Sequence, residues 1–85
     1  PPEVADVIDA EAVRAASEFG LGEPIVRATK LGRRLYVEVD FIVAAGEWDV
    51  ADEDRVRRSL IGGLDALGYD IWANVELTTD PDLAV

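Results

Sequence analysis

Apolar residues along this chain recur with two different periods, and the switches between them mark out helices and strands. Val4, Ile8, Ala12, Ala15 and Phe19 fall three or four residues apart, which is one stripe of a helix over residues 3–19. Pro2 and Glu3 suit the start of that helix and Gly20 its end. Residues 20–24 read as a loop from their glycine and proline content. The β-branched pair Ile25-Val26 opens a short strand over residues 25–30. Leu31-Gly32-Arg33 reads as a hairpin turn, with Gly32 supplying the positive φ that a tight turn needs.

Residues 34–43 carry the clearest alternation in the chain. Leu35, Val37, Val39, Phe41 and Val43 fall on one face, and Tyr36, Glu38, Asp40 and Ile42 on the other. Residues 44–48 form a loop. Asp49 is placed to cap a second helix, whose early acids Asp52, Glu53 and Asp54 favour its positive N-terminal end. Val56, Leu60, Leu64 and Leu67 make that helix's core stripe, and Gly68 ends it. Gly62-Gly63 lowers helicity by roughly 1 kcal/mol per glycine and suggests a close approach of the helix to the sheet. Residues 69–79 alternate again, with Ile71, Ala73, Val75 and Leu77 opposite Trp72, Asn74, Glu76 and Thr78. Asp80-Pro81 stops this strand, and the last few residues are expected to fray.

The order is α-β-β-α-β, an α+β arrangement. The first two strands pair as a hairpin, and the second helix is a right-handed crossover that makes the second and third strands parallel neighbours. The expectation is a three-stranded mixed sheet with two helices on one face. The other face, carrying Tyr36, Glu38, Asp40, Ile42, Trp72, Asn74 and Glu76, is left uncovered.

Composition narrows the function. At 85 residues the chain has core enough for one domain, and its 49% hydrophobic content argues for a folded one. Eighteen acidic against eight basic residues give a net charge of −10, which argues against nucleic-acid binding and against anionic lipid. There is no cysteine and no histidine, so thiolate metal sites, disulfides and the commonest general base are all absent. Ser17 and Ser59 lie mid-helix with no imidazole to activate them, and Gly20-Leu21-Gly22 is too short for a dinucleotide fingerprint. The expectation is a domain that is not an enzyme. The sequence holds no membrane-length apolar run, and a beginning at Pro1-Pro2 without methionine reads as a piece excised from a larger protein.

On the uncovered face, Glu38, Asp40, Asn74 and Glu76 are oxygen donors on neighbouring strands about 4.8 Å apart, close enough to share a cation if the register allows. A solvated face of ordinary charges is the plainer reading, but Trp72 and Tyr36 tip the balance toward a contact surface. Glu47, Asp49, Asp52, Glu53 and Asp54 are accounted for by helix capping. Lys30, Arg33 and Arg34 at the hairpin tip read as edge-strand charges, and Arg55, Arg57 and Arg58 as salt-bridge partners of nearby acids.

The stretch Val26-Arg27-Ala28-Thr29-Lys30-Leu31-Gly32, followed by Arg34-Leu35-Tyr36-Val37-Glu38-Val39-Asp40-Phe41, resembles the C-terminal domain of cation diffusion facilitator transporters. The run from Trp72 to Pro81 is similar to that domain's last strand, and the resemblance spans nearly the whole chain. It implies a ferredoxin-like, metallochaperone-like sandwich on the cytoplasmic side of the cell membrane, joined to a transmembrane domain of the same polypeptide. It also implies a homodimer, with a regulatory divalent cation between protomers. Carried over by position, the metal ligands of the family fall on Asp40, Asp54, Asn74 and Glu76, and every imidazole among them is replaced. Zinc prefers nitrogen and sulfur, whereas all-oxygen sites suit harder ions such as manganese. The resemblance therefore implies weak binding of zinc or manganese, a preference for a harder ion, or a purely structural dimeriser. Tyr36, Glu38 and Trp72 are the expected interface residues. A freestanding small-ligand or adaptor module of the same fold is the alternative.

Overall fold

The computed structural model describes residues 2–84. Helix α1 (Pro2–Phe19) leads into strands β1 (Ile25–Leu31) and β2 (Arg34–Ile42), then helix α2 (Val50–Leu64) and strand β3 (Asp70–Thr78). The strands form one mixed sheet in the order β1-β2-β3, with β1 and β2 antiparallel and β2 and β3 parallel. The architecture is the expected α+β sandwich. The parallel pair joined by the crossover helix is hydrogen-bonded directly, so the strand order fits a ferredoxin-like arrangement loosely.

The alternation in β2 sets the layers. Leu35, Val37, Val39 and Phe41 are all buried, and they share one core with Ile8, Ala12 and Ala16 of α1, Val56, Leu60 and Leu64 of α2, and Val75 of β3. Both helices therefore lie on the same side of the sheet. The hairpin turn places Gly32 at φ 60° and keeps Arg33 out of the positive-φ region, as a turn with glycine at its first central position requires. Leu31 then faces Arg34, and counting outward from the turn sets Arg27 opposite Glu38 and Ile25 opposite Asp40.

Capping of α2 follows the sequence closely. The Asp49 carboxylate accepts from the Asp52 amide (2.8 Å), and the Asp52 carboxylate accepts from the Asp49 amide (3.0 Å). The Asp49 amide, followed by Arg55, holds the Asp52 carboxyl below its ordinary pKa. Of the two remaining acids there, Glu53 reaches across and accepts from the Leu77 amide on the edge strand (3.0 Å), which closes part of that edge. The helices are joined by Ser59, whose hydroxyl donates to Glu18 (2.8 Å), while Arg14 donates to the same carboxylate (2.9 Å) and to the Ser59 carbonyl (3.1 Å).

Three expectations need correction. Leu67 lies in a 3-10 turn (Asp65–Leu67) that follows α2, because Asp65 already closes the last α-helical bond and Gly68, at φ 77°, ends the turn. The glycine pair does not mark a helix–sheet contact. A side chain on Gly63 would strike the Glu11 carboxylate of α1, whereas Gly62 faces open space. The C-terminal residues are not frayed: a 3-10 turn (Pro81–Leu83) is capped by Asp80, and Ala84 is buried, with Val85 outside the described residues. Gly62→Ala is accordingly expected to stabilise the domain by about 0.5–1 kcal/mol, read as a rise of a few degrees in melting temperature. Gly63→Ala should gain less, since it displaces the Glu11–Arg14 pair.

Candidate functional site

The open face of the sheet carries two different surfaces. Near the hairpin, register places Tyr36 beside Trp72 and Arg34 beside Asp70. The two rings lie 6.0 Å apart at a 47° tilt, and the Arg34 guanidinium sits 4.5 Å from the centre of the Trp72 ring. Asp70 accepts from both Arg34 (3.1 Å) and the Trp72 indole (3.2 Å) and so fixes the stack from below. Trp72 is 52% exposed and Tyr36 37%, which is a large apolar area for residues on one uncovered face. An open groove of about 450 Å³ runs beside them, lined by Arg27, Thr29, Tyr36, Glu38, Trp72 and Asn74.

Further along the strands the face closes down. Asp40 points to the same side as Tyr36 yet is 0% exposed, so the expectation of a solvated carboxylate there is overturned. Alternation reports which face a residue occupies, not how deep its neighbours leave it. The neighbour in this case is Arg27, two residues along β1 from Ile25, the register partner of Asp40. Its guanidinium donates to Asp40 Oδ2 at 2.9 Å and also pairs with Glu38. Glu38 first, and Asp40 after it, hold the Arg27 pKa above its ordinary value against the opposing pull of desolvation. Asp40 Oδ1 is buried and has no hydrogen-bond partner among the described residues. Thr78, at the far end of the same face, is also buried, its hydroxyl exchanging hydrogen bonds with the Asp80 backbone.

Of the residues carried over as metal ligands, Asp40 and Glu76 are register partners, and Asn74 pairs with Glu38 two positions earlier. Asp54 is not brought to them. It is exposed on α2, the layer that packs against the opposite face. Among the described residues, no three acids converge to hold a metal ion. Within one copy, the divalent cation that the transporter resemblance implies therefore does not fit these side chains. One carboxylate is sealed beneath an arginine, one lies on the wrong layer, and Asn74 and Glu76 stand exposed.

Arg27 is the residue that sequence reasoning missed. The signal was present in the two-residue turn, which fixes the hairpin register and so the pairing of Arg27 with Glu38. Lys30 and Arg33, read as edge charges, instead clamp the start of β3: Lys30 Nζ lies 5.5 Å from the Tyr69 ring centre, and Arg33 donates to the Gly68 carbonyl (3.0 Å). Arg55 and Arg57 pair with Asp52 and Glu53 as expected. Among the described residues, no helix is long and apolar enough to cross a membrane. Comparison of the chain with protein-family models, with curated proteins and with solved structures found no match.

Proposed function

We propose that this domain is a non-enzymatic association module that holds two copies of its chain together through the open sheet face. In the intact polypeptide it would serve as the cytoplasmic C-terminal domain of a divalent-cation efflux transporter. The observation that carries the reading is the exposed Tyr36–Trp72 pair, braced by Arg34 and Asp70, on a sheet face that no helix covers. A second copy is the natural occupant because the face is self-complementary in charge. Arg34 lies at the hairpin end, where it is paired with Asp70, and Glu76 stands exposed toward the other end, so two faces laid in opposite senses would bring Arg34 toward the other copy's Glu76.

The size of the face sets the strength of the contact. A nine-residue strand is about 30 Å long and three strands span about 14 Å, giving roughly 400 Å² in plan. That is about half of what each partner contributes to a standard interface. The isolated fragment should therefore associate weakly. Tethering two copies through a membrane domain raises their effective concentration and makes a weak contact sufficient. The net charge of −10 on each copy also opposes association at low salt.

Sedimentation velocity from micromolar to millimolar protein tests this. The expected result is a monomer that self-associates at the upper end, more strongly as sodium chloride is raised. A monomer throughout, at every salt concentration, would sink the association reading. The transporter assignment has its own test, since the coding sequence upstream of Pro1 should specify about six membrane-length apolar segments. A start codon or a soluble enzyme there would remove it. The groove beside the aromatic pair favours one other reading, a freestanding small-ligand or adaptor module, for which ligand-dependent quenching of Trp72 without change in mass would be the sign.

A further inference from the structure

We infer that Arg27 is the resident counter-cation of the open face: it supplies from within the chain the positive charge that Asp40 and Glu38 require, and the face takes no free metal ion. A fully buried carboxylate is tolerated only when paired, and among the described residues Asp40 is paired with Arg27. Oδ1 has no donor among the described residues, so the direct compensation seen for the carboxylate comes through Oδ2 and the Arg27 guanidinium. The same nitrogen, Arg27 Nη2, also donates to Glu38, so one end of the guanidinium, reaching over from β1, holds two carboxylates of β2. A competing divalent ion would have to expel a guanidinium that is covalently tethered at high effective concentration. It would then find no third carboxylate converging on it among the described residues.

Arginine stays charged across the accessible pH range, so the pairing of Arg27 with Asp40 is permanently set and reports nothing about metal. The domain would then clamp without sensing. This inference stands apart from the association reading, because it is tested on the monomer at low concentration.

The test is thermal unfolding, followed by tryptophan fluorescence, of the wild type, Arg27→Ala, Asp40→Asn and the double variant, each in chelator and in millimolar zinc or manganese at matched ionic strength. The wild type should melt at the same temperature in all three solutions. Arg27→Ala should fall by roughly 5 °C, because Asp40 loses its ion pair while part of that cost is returned as the carboxylate opens to solvent. The double variant should recover most of that loss, because the charge that needed a partner is gone. If Arg27→Ala proves unfolded, Arg27→Lys and Arg27→Gln carry the test, with the lysine variant expected to melt higher. The inference is overturned if metal stabilises the wild type saturably and Asp40→Asn abolishes the effect. It is equally overturned if Arg27→Ala melts like the wild type, if the double variant melts no higher than Arg27→Ala, or if the lysine and glutamine variants melt alike.

Discussion

Phe41→Ala is expected to cost about 3–5 kcal/mol, the range for emptying a fully buried aromatic site. Phe41 is 1% exposed and is the largest fully buried side chain among the described residues. It sits on the central strand, facing the helices, where the core residues of α1, α2 and β3 meet. The loss is large because the total is small. At roughly 0.05–0.15 kcal/mol per residue, a chain of this length holds about 4–13 kcal/mol against unfolding. The variant is therefore expected to lie near the edge of folding. In a urea titration the midpoint should fall steeply while the slope stays near that of the wild type, since the native and unfolded surfaces change little. A midpoint within a few tenths molar of the wild type would mean that the helices are not packed on β2 as described.

The second large effect is on association. Trp72→Glu should weaken self-association at least tenfold, which corresponds to about 1.4 kcal/mol or more. The substitution removes the indole, ends the Arg34 stack and adds a negative charge to a domain whose net charge of −10 already opposes association. Because Trp72 is half exposed, the melting temperature should move far less than in Phe41→Ala. Val13→Glu provides the control, for Val13 is 58% exposed on α1, on the opposite side of the domain. Sedimentation of both variants decides which surface is used. Should Val13→Glu disrupt association and Trp72→Glu leave it intact, the contact belongs to the helical layer and not to the sheet.

The layers were legible in the sequence because they depend on periodicity alone. The Val4-to-Phe19 stripe, the alternation from Leu35 to Phe41 and the Asp49–Asp52 capping box are local patterns, each visible within one element. The open face was legible for the same reason, since two helices of this order cannot cover both sides of three strands. What escaped was depth. Asp40 and Glu38 alternate identically, yet one is sealed and the other is not, because the long side chain of Arg27 arrives from another strand and covers only one of them. The glycine pair was misread in a related way. Gly62 and Gly63 are adjacent in sequence, but helical rotation turns only Gly63 toward α1, and the partner it meets is the side chain of Glu11, far away in sequence and outside any local pattern. Asp54 could be placed on α2 from sequence, but the layer that α2 occupies had to be taken into account before it was grouped with Asp40.

The parallel pairing of β2 with β3 has a consequence for how the chain matures. The central strand receives one neighbour early, through a hairpin that closes over two residues, and the other only when the last strand has been synthesised. Until Asp70–Thr78 leaves the ribosome, β2 presents an open edge of valine, leucine and phenylalanine, and Val75 is missing from the core. A chain truncated before β3 is thus the aggregation-prone form of this domain.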